Sequence, residues 1–221
     1  MKLLENKVAL VTGASRGIGR AIARRLATAG ATVVVTARSL DRTGQFAGTL
    51  AETAALIEAN GGRAIALAAD LENPVERDGI IARAVEACDG LDILINNAGI
   101  ADYAPVATMP MAMLDATLDH YLRAPFALIQ QAIPAMRRRG GGWIVMLGSC
   151  TALPPTKPYD LFARHGGATV YAAVKAAVHR FTQGLAAELL DDNIAVNSVA
   201  PSTAISTPGS DRFTPDRKSV V

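Results

Sequence analysis

Tyr171 and Lys175 are the side chains best suited to move a proton, because they lie four residues apart in a segment with helical spacing. Residues four apart share one face of a helix. A tyrosine hydroxyl has an ordinary pKa of about 10, and a neighbouring ammonium lowers that pKa by favouring the phenolate. We therefore expect Lys175 to make Tyr171 a usable acid and base, although the same spacing also suits an ordinary surface pair. His179, two turns beyond Tyr171, is expected to be an ordinary helix residue.

A glycine-rich segment, residues 13–19, follows the first apolar run of the chain and precedes a helical pattern. Residues 7–12 are typical of a strand buried on both faces, residues 18–29 repeat apolar side chains at helical spacing, and residues 32–36 form a second buried strand. Glycines permit a tight turn close to a ligand, and the free N–H groups at a helix start attract a pyrophosphate. This βαβ unit predicts a dinucleotide site rather than a plain loop.

The residue after the second strand bears on the choice of cofactor. Where a carboxylate would bind the ribose hydroxyls of NAD(H), this chain has Arg38, and Arg16 lies in the glycine-rich segment. Two guanidinium groups can pair with the 2′-phosphate of NADP(H). We therefore expect NADP(H) to be favoured over NAD(H), the alternative being that both arginines are solvated surface charges.

The rest of the chain alternates between strands and helices, which predicts an α/β fold with a parallel sheet. The predicted strands span residues 63–69, 92–99 (which ends in a polar turn), 143–147 and 194–200, and the predicted helices span residues 50–60, 74–89, 111–139 and 169–190. Pro125 and Pro134 are able to kink or divide the third of these helices. A chain of 221 residues suits one domain, residues 1–221.

Polar side chains follow several of the predicted strands. Asp70 could reach an adenine amino group or cap the segment that follows it. Asn96 and Asn97 could lie beside a ligand or only fasten their turn. Ser149 follows the fifth strand, and residues 153–167, rich in proline and glycine, form a long segment where a substrate would approach.

Composition and charge exclude several classes of protein. The formal net charge of +2, with acidic and basic residues interspersed, indicates neither a nucleic-acid surface nor an acidic tail. No apolar run approaches the roughly 18 residues that span a bilayer, and the N-terminus is not of the signal type. Cys88 and Cys150 lie far apart without metal-ligand spacing. We therefore expect a soluble, cytoplasmic protein with no metal site, whose partner is a small molecule.

The chain contains four motifs in order: Thr12-Gly-Ala-Ser-Arg-Gly-Ile-Gly19, Asn96-Asn-Ala-Gly99, Ser149 and Tyr171-xxx-Lys175. Together they resemble the motifs of the short-chain dehydrogenase/reductase family, and the resemblance covers about residues 5–208. The resemblance implies a Rossmann-type doubly wound sheet in three α/β/α layers, and a reductase of carbonyls or a dehydrogenase of alcohols. It also implies that Tyr171 exchanges a proton with the substrate oxygen, Lys175 holds the ribose hydroxyls and Ser149 binds the developing alkoxide. The cofactor-binding residues that it implies are Gly13, Ser15, Arg16, Gly17, Ile18, Gly19, Arg38, Asp70, Leu71, Asn97, Ala98, Gly99, Tyr171, Lys175 and Pro201.

The chain departs from the family's pattern at three places. Tyr121 stands where the family has an asparagine that supports a water leading away from the lysine. Residues 153–167 lengthen the interval between Ser149 and Tyr171, which fits an inserted loop on the substrate side. Residues 212–221 show no strand or helix pattern, so we expect the last strand of the family's sheet to be missing and the sixth strand to lie at an edge.

These departures leave a second function open, that of an NADP(H)-binding protein with a shortened C-terminus and little or no turnover. Apolar positions along residues 111–139 and 169–190 predict that these helices pack against another copy of the chain. The expected assembly is a homodimer or homotetramer.

Overall fold

A parallel sheet of six strands forms the centre of the computed structural model, which describes residues 2–41, 47–100, 102–202, 205 and 207. The strands are β1 (Val8–Thr12), β2 (Thr32–Ala37), β3 (Arg63–Ala68), β4 (Ile93–Asn96), β5 (Gly142–Leu147) and β6 (Ile194–Val199). Their spatial order is β3-β2-β1-β4-β5-β6, and every neighbouring pair is parallel. The winding reverses between β1 and β4, so the Rossmann-type doubly wound sheet expected from the sequence is confirmed.

Helices cover the two faces of this sheet. They are α1 (Gly17–Thr28), α2 (Leu50–Glu58), α3 (Pro74–Cys88), α4 (Met111–Leu118), α5 (Ala124–Arg138), α6 (Leu161–His165) and α7 (Thr169–Glu188). On one face, Ala23 of α1 and Ile57 of α2 pack against β1 and β2. On the other face, Ile80, Leu128 and Val178 bring α3, α5 and α7 into a second core. The predicted bounds of α1, α2, α3 and α7 agree with these to within two residues.

Local hydrogen bonds explain where two of the helices begin. Thr49 and Glu52 form a capping box at α2, in which each side chain accepts a hydrogen bond from the other residue's N–H, at 3.0 and 3.3 Å. Asn73 caps α3 by accepting the Val75 N–H, and Pro74 occupies the first turn, where no N–H is needed.

The helix predicted over residues 111–139 is interrupted by a π turn, Asp119–Arg123, between α4 and α5. Within it the Ala124 N–H donates to the Asp119 carbonyl, five residues back. Pro125 has no N–H to give to the preceding turn, which explains why the break lies directly before it. Pro134 lies inside α5 without dividing it. Of the two prolines, only Pro125 therefore marks the interruption.

Asp92 joins the amino ends of β1 and β4 at the edge of the sheet opposite the predicted site. Its side chain is 1% exposed and accepts the Val8 N–H at 2.9 Å. Lys7 and Arg139 each form an ion pair with it at 3.2 Å. Burial alone would raise the pKa of Asp92, but these hydrogen bonds hold the pKa below its ordinary value. The carboxylate therefore stays charged and fixes this end of the sheet.

In the described part of the chain β6 is an edge strand, as expected. Residues 153–167 are not a plain loop, because they contain α6. The expectation about residues 212–221 lies outside the described residues. Within the described ranges, every helix is too short or too polar to cross a membrane, and no group of His, Cys, Asp and Glu side chains is placed to hold a metal ion.

Candidate active site

The glycine turn after β1 and the polar turn after β4 meet at the point where the sheet changes direction. Gly13 and Gly17 have φ angles of +65° and +54°, a region that glycine adopts without strain. A side chain at Gly19 would lie 2.3 Å from the Gly13 carbonyl oxygen, so the turn closes only with glycine there. Asn97 Nδ2 donates to the Thr12 carbonyl at 2.8 Å. Of the two roles considered for Asn97, fastening the turn is the one observed.

The other residues predicted to bind a diphosphate lie at the start of α1. Arg16 precedes the first residue of this helix and makes no side-chain cap, and no acidic residue lies in its first turn, which includes Ile18. Ser15 is buried below it, and its carbonyl accepts a hydrogen bond from Arg20 at 2.6 Å. Thr207 lies beside Gly17. The helix start keeps the N–H groups and the partial positive charge that attract an anion.

Arg16 and Arg38 lie close enough for their charges to oppose each other. Burial lowers the pKa of Arg16, and repulsion from Arg38 and Arg20 lowers it further. Arg20 is already paired with Glu52, at 2.9 Å. A doubly charged phosphate group beside Arg16 and Arg38 would relieve their mutual repulsion. The residues present at this corner of the site therefore fit a phosphate-bearing ligand.

Ser149, Tyr171 and Lys175 converge where the end of β5 meets α7. The Ser149 side chain is hydrogen-bonded to Tyr171, and its Oγ accepts a hydrogen bond from Thr151 Oγ1 at 2.8 Å. Lys175 Nζ donates to the Leu147 carbonyl at 2.5 Å and lies 5.6 Å from the centroid of the Tyr171 ring. The fold thus brings together the three side chains that the sequence indicated for catalysis.

The pKa of Tyr171 moves in the direction opposite to the prediction. Burial, with a smaller effect from Tyr103, raises this pKa to about 12, and the hydrogen bond with Ser149 offsets the rise only in part. Burial also lowers the pKa of Lys175 to about 8. The pKa of Tyr171 thus lies above its ordinary value, and the expectation of a lowered pKa is wrong. For each group the largest cause of the shift is its partial loss of solvation, which disfavours the charged form.

Tyr121 fills the space between the polar turn after β4 and α7. Lys175 Nζ lies 4.0 Å from the centroid of the Tyr121 ring, and the rings of Tyr121 and Tyr171 lie 5.4 Å apart, edge to face. A side chain at Gly99 would come within 2.4 Å of the Tyr121 ring. Gly99 is therefore required by packing, and Tyr121 stabilises the charge of Lys175 through a cation–π contact.

A small chamber lies on the inner side of Lys175. Its volume is about 10 Å³. The residues that line it include Asn96, His120 and Tyr121. Asn96 is only 6% exposed, and its Oδ1 has no hydrogen-bond partner among the described residues. On the outer side, His120 Nε2 lies 2.8 Å from Glu72 Oε1. The chamber thus combines a buried ammonium, an unsatisfied acceptor and a histidine that contacts a surface carboxylate.

His179 is a site residue that the sequence did not indicate. It lies one turn beyond Lys175 on α7, and its Nε2 accepts the Ser149 N–H at 3.4 Å. A side chain at Gly148 would lie 2.2 Å from the same nitrogen. His179 is therefore not an ordinary helix residue, because it holds the backbone of Ser149. The available signal was its spacing of four residues from Lys175, which places both on one helix face.

Three residues predicted to bind the cofactor lie at other strand ends. Asp70 and Leu71 follow β3, two strands away from β1, and Pro201 follows β6. Asp70 Oδ1 accepts the Glu72 N–H at 3.0 Å, so this carboxylate holds the turn before α3, while Asn73 caps the helix itself. Their roles toward a cofactor stay predictions.

An aromatic strip leads from Tyr171 to the inserted segment. The ring of Tyr103 lies 5.4 Å from that of Tyr171 and 6.2 Å from that of Phe162 on α6, both edge to face. The same segment exposes Leu153 and Leu161. The outer wall of the site is therefore largely apolar.

The sequence matches that of known enzymes along nearly its whole length. The model of a family described as short chain dehydrogenase matches residues 7–218. L-rhamnose 1-dehydrogenase (NAD(P)(+)) of Sphingomonas sp. (strain SKA58) is 36% identical over 221 residues, which cover 99% of this chain and 80% of that protein. Human dehydrogenase/reductase SDR family member 4 is 35% identical over 199 residues, which cover 90% of this chain and 66% of that protein.

Solved structures share the fold. A short chain dehydrogenase from Burkholderia cenocepacia J2315, solved in complex with NADP, has a TM-score of 0.77 and 42% identity, covering 90% of this chain and 75% of that one. A short-chain type dehydrogenase/reductase from Mycobacterium marinum has a TM-score of 0.82 and 32% identity, covering 95% of this chain and 77% of that one. The range matched by the family model, residues 7–218, includes both turns and α7.

Proposed function

Because the chain belongs to the short-chain dehydrogenase family, we propose that it is an NADP(H)-dependent oxidoreductase acting on a carbonyl compound or the corresponding secondary alcohol. The observation that carries this proposal is the convergence of Ser149, Tyr171 and Lys175 at the carboxyl ends of the strands. The glycine turn lies at the same edge of the sheet.

Each of the three side chains has a separate role in this proposal. The bound nicotinamide supplies the hydride in reduction and accepts it in oxidation. Ser149 accepts a hydrogen bond from Thr151, which orients its own hydroxyl hydrogen toward Tyr171, where it can donate to a substrate oxygen. Tyr171 gives its proton to that oxygen as negative charge develops there. The raised pKa of Tyr171 keeps the phenol protonated at neutral pH, which is the form that reduction requires.

The buried ammonium of Lys175 lies 5.6 Å from the centroid of the Tyr171 ring and would hold the ribose hydroxyls of a bound cofactor. It favours the phenolate that Tyr171 becomes after it has given up its proton. His179 acts through Ser149, because its contact with the Ser149 N–H fixes the loop that presents the hydroxyl. It is a positioning residue.

The preference for NADP(H) over NAD(H) rests on the arginines. Glu52 pairs with Arg20 and also attracts Arg16, but the repulsion between Arg16 and Arg38 is the larger effect on Arg16, so these two arginines have an electrostatic reason to bind a 2′-phosphate. The diphosphate would be held at the start of α1 and along the glycine turn. The residues assigned to it are Gly13, Ser15, Arg16, Gly17, Ile18 and Gly19, and those assigned to the ribose side are Asn97, Ala98 and Gly99.

The test of the function is Tyr171→Phe. We expect NADPH oxidation with ketone substrates to fall by a factor of about 100 to 10,000, because the proton donor is lost. NADPH binding, followed by fluorescence titration, should not change. Tyr159→Phe, which alters an exposed tyrosine of the inserted segment, is the matched control and should keep full activity.

One result would favour the NADP(H)-binding protein without turnover instead. The unaltered chain would bind NADPH but reduce none of a broad panel of ketones, quinones and 3-oxoacyl thioesters. Tyr171→Phe would then have no effect that could be measured on turnover.

A further inference from the structure

His179 and Ser198 approach each other behind the catalytic serine. His179 Nε2 accepts the Ser149 N–H at 3.4 Å. A Cβ at Gly148 would lie 2.2 Å from this nitrogen and 2.6 Å from Ser198 Oγ. The two atoms therefore crowd one point beside Gly148, and only a residue without a side chain leaves room for both of them.

Ser198 lies on the face of β6 that packs against α7. Ile194 and Val196, at alternate positions of the same strand, belong to the core that includes Val178 of α7. The Oγ of Ser198 is buried and has no hydrogen-bond partner among the described residues. Because buried hydroxyl groups are normally hydrogen-bonded, Ser198 is available as a partner for the His179 ring.

The charge of His179 determines which of these two residues its Nε2 can bind. A neutral ring with its hydrogen on Nδ1 has a lone pair on Nε2, which is what the Ser149 N–H requires. A protonated ring carries a hydrogen on both nitrogens, so two donors would then face each other. Ser198 Oγ, in contrast, can accept the new Nε2–H. Histidine is the side chain that ordinarily changes its charge between pH 5 and 8.

No ion pair within the described ranges includes His179. The strands β5 and β6, whose carboxyl ends meet the ring, contain no titratable residue. Lys175 lies one turn before His179 and donates to the Leu147 carbonyl. The other titratable groups on α7 and on the elements packed against it are Tyr171, Arg180, Glu188, Cys150, Asp115, Asp119, His120, Tyr121, Arg123, Asp191 and Asp192. Ser198 is therefore the acceptor that the fold places beside a protonated His179.

We propose that His179 is a pH-dependent positioning residue, which holds the Ser149 N–H when it is neutral and binds Ser198 Oγ when it is protonated. This inference rests on the proposed function. In the protonated form, Ser149 loses the contact that fixes its backbone from the side of α7, while the Gly148 N–H still donates to the Val199 carbonyl at 2.9 Å. Ketone reduction should therefore become slower in acid, because the serine hydroxyl no longer lies where the substrate oxygen needs it.

The catalytic tyrosine and lysine do not titrate in the same range. Burial raises the pKa of Tyr171 to about 12 and lowers the pKa of Lys175 to about 8. Both side chains therefore remain largely protonated between pH 5 and pH 7, and the protonated phenol is the form that gives its proton to a ketone. A loss of kcat in this range consequently reports on another group.

The pH profile of kcat tests the role of His179. We expect kcat for ketone reduction, measured at saturating NADPH, to fall about fivefold or more between pH 7.5 and pH 5. His179→Gln, which keeps a neutral acceptor, should retain most of its kcat at pH 7.5 and show no such fall. His179→Leu should lower kcat about 5- to 10-fold at pH 7.5, the loss expected for one hydrogen bond, without changing KM for NADPH. His165→Gln, on α6, should keep the profile of the unaltered chain.

The role of Ser198 is tested by Ser198→Ala. Removing the acceptor of the protonated ring disfavours protonation, so the midpoint of the fall in kcat should move down by roughly one to two pH units. Ser198→Thr, which keeps the hydroxyl group, is the matched control and should leave the midpoint in place.

Four results would overturn the inference. The first is a kcat of the unaltered chain that stays constant from pH 7.5 to pH 5, and the second is a fall in His179→Gln with an unchanged midpoint. The third is a midpoint that Ser198→Ala leaves in place. The fourth is a fall in kcat that coincides with unfolding, which circular dichroism at each pH detects.

A second measurement does not depend on turnover. The chain has three histidines, so the ring nitrogens of a chain labelled with ¹⁵N-histidine can be assigned in NMR spectra by substituting each histidine in turn. At pH 7.5 the ring of His179 should be neutral with Nε2 unprotonated, and Nε2 should gain its proton on acidification. A neutral ring that carries its proton on Nε2 would refute the inference. A chain that shows the unprotonated Nε2 but reduces no substrate would instead refute the proposed function, so the two failures can be told apart.

Discussion

Lys175 illustrates how burial determines the charge of a single residue. Burial lowers its pKa from 10.5 to about 8. The folded chain therefore binds this proton less tightly than the unfolded chain, and the ammonium destabilises the fold by about 3 kcal/mol below pH 8. As the pH rises from about 8 toward 10.5, the folded chain has already lost the proton, and this destabilisation disappears.

Lys175→Met should consequently make the protein more stable and inactive. We expect the free energy of unfolding to rise by about 2 kcal/mol at pH 7, because an apolar side chain replaces a buried charge. At pH 9.5 the gain should be clearly smaller. Urea unfolding at both pH values measures the difference, and Lys157→Met, at an exposed lysine, should change neither value. Equal gains at the two pH values would contradict this account of Lys175.

Arg38 is the residue that should determine the preference between the two cofactors. In Arg38→Asp, we expect KM for NADPH to rise about 10- to 100-fold, because a charge-assisted hydrogen bond worth roughly 1.5–3 kcal/mol is replaced by repulsion. KM for NADH should stay the same or fall. Arg24→Asp, which reverses an exposed charge on the outer side of α1, is the control for net charge. Equal increases in KM for NADPH and NADH in Arg38→Asp would show that Arg38 does not act through the 2′-phosphate.

Some of these residues could be predicted from the sequence, and others could not. Local patterns in the sequence indicated Ser149, Tyr171 and the glycine turn. Ser149 and the glycine turn each follow a strand, and Tyr171 lies in a segment with helical spacing. His179 acquires its role only through a contact across the fold, with the Ser149 N–H. The predicted shift of the Tyr171 pKa had the wrong direction for the same reason. The spacing to Lys175 is visible in the sequence, whereas the depth of burial is not.

The π turn is the element that most distinguishes the observed site from the expected one. The sequence predicted one long helix with two prolines, and the chain instead widens at Asp119–Arg123 and continues as α5. Pro125 indicated a place where a helix can be disturbed, but a missing N–H does not specify the kind of turn that results. This turn brings Tyr121 against Lys175 and His120 against Glu72.

The inserted segment should set the substrate preference through α6. Tyr103 bridges Tyr171 and Phe162, so a substrate with an aromatic group next to its carbonyl can continue the strip. In Phe162→Ser, we expect KM for an aryl ketone to rise about 3- to 10-fold, which corresponds to the roughly 0.5–1.5 kcal/mol of an aromatic pair. KM for a small aliphatic ketone should not change.

Leu161→Ser is the control for this prediction. It alters a neighbouring exposed residue of the same short helix that takes no part in the aromatic contacts. A similar rise in KM for both ketones in Phe162→Ser would show that α6 acts by general shape rather than by its ring.

At the scale of the whole molecule, the position of the site follows from the order of the strands. The sheet reverses between β1 and β4, so the turns after these strands lie together at their carboxyl ends, and β5 delivers Ser149 to the same edge. That arrangement could be predicted because alternating strands and helices permit few topologies. The way in which copies of the chain meet could not be predicted, because exposed apolar side chains indicate a contact surface without specifying its partner.

A substitution at Phe126 can test how copies of the chain meet. It is 53% exposed on α5, and its ring lies 6.3 Å from that of Phe181 on α7, so an apolar surface spans the two helices that the sequence indicated for assembly. If copies of the chain meet on this surface, Phe126→Arg should place two charges close together across a symmetric interface and halve the mass measured by light scattering. Leu190→Arg, at an exposed leucine just beyond α7, should keep the assembly intact. A chain that is monomeric before any substitution, or a Phe126→Arg variant of undiminished mass, would exclude this surface, because a buried charge without a partner destabilises an interface by several kcal/mol.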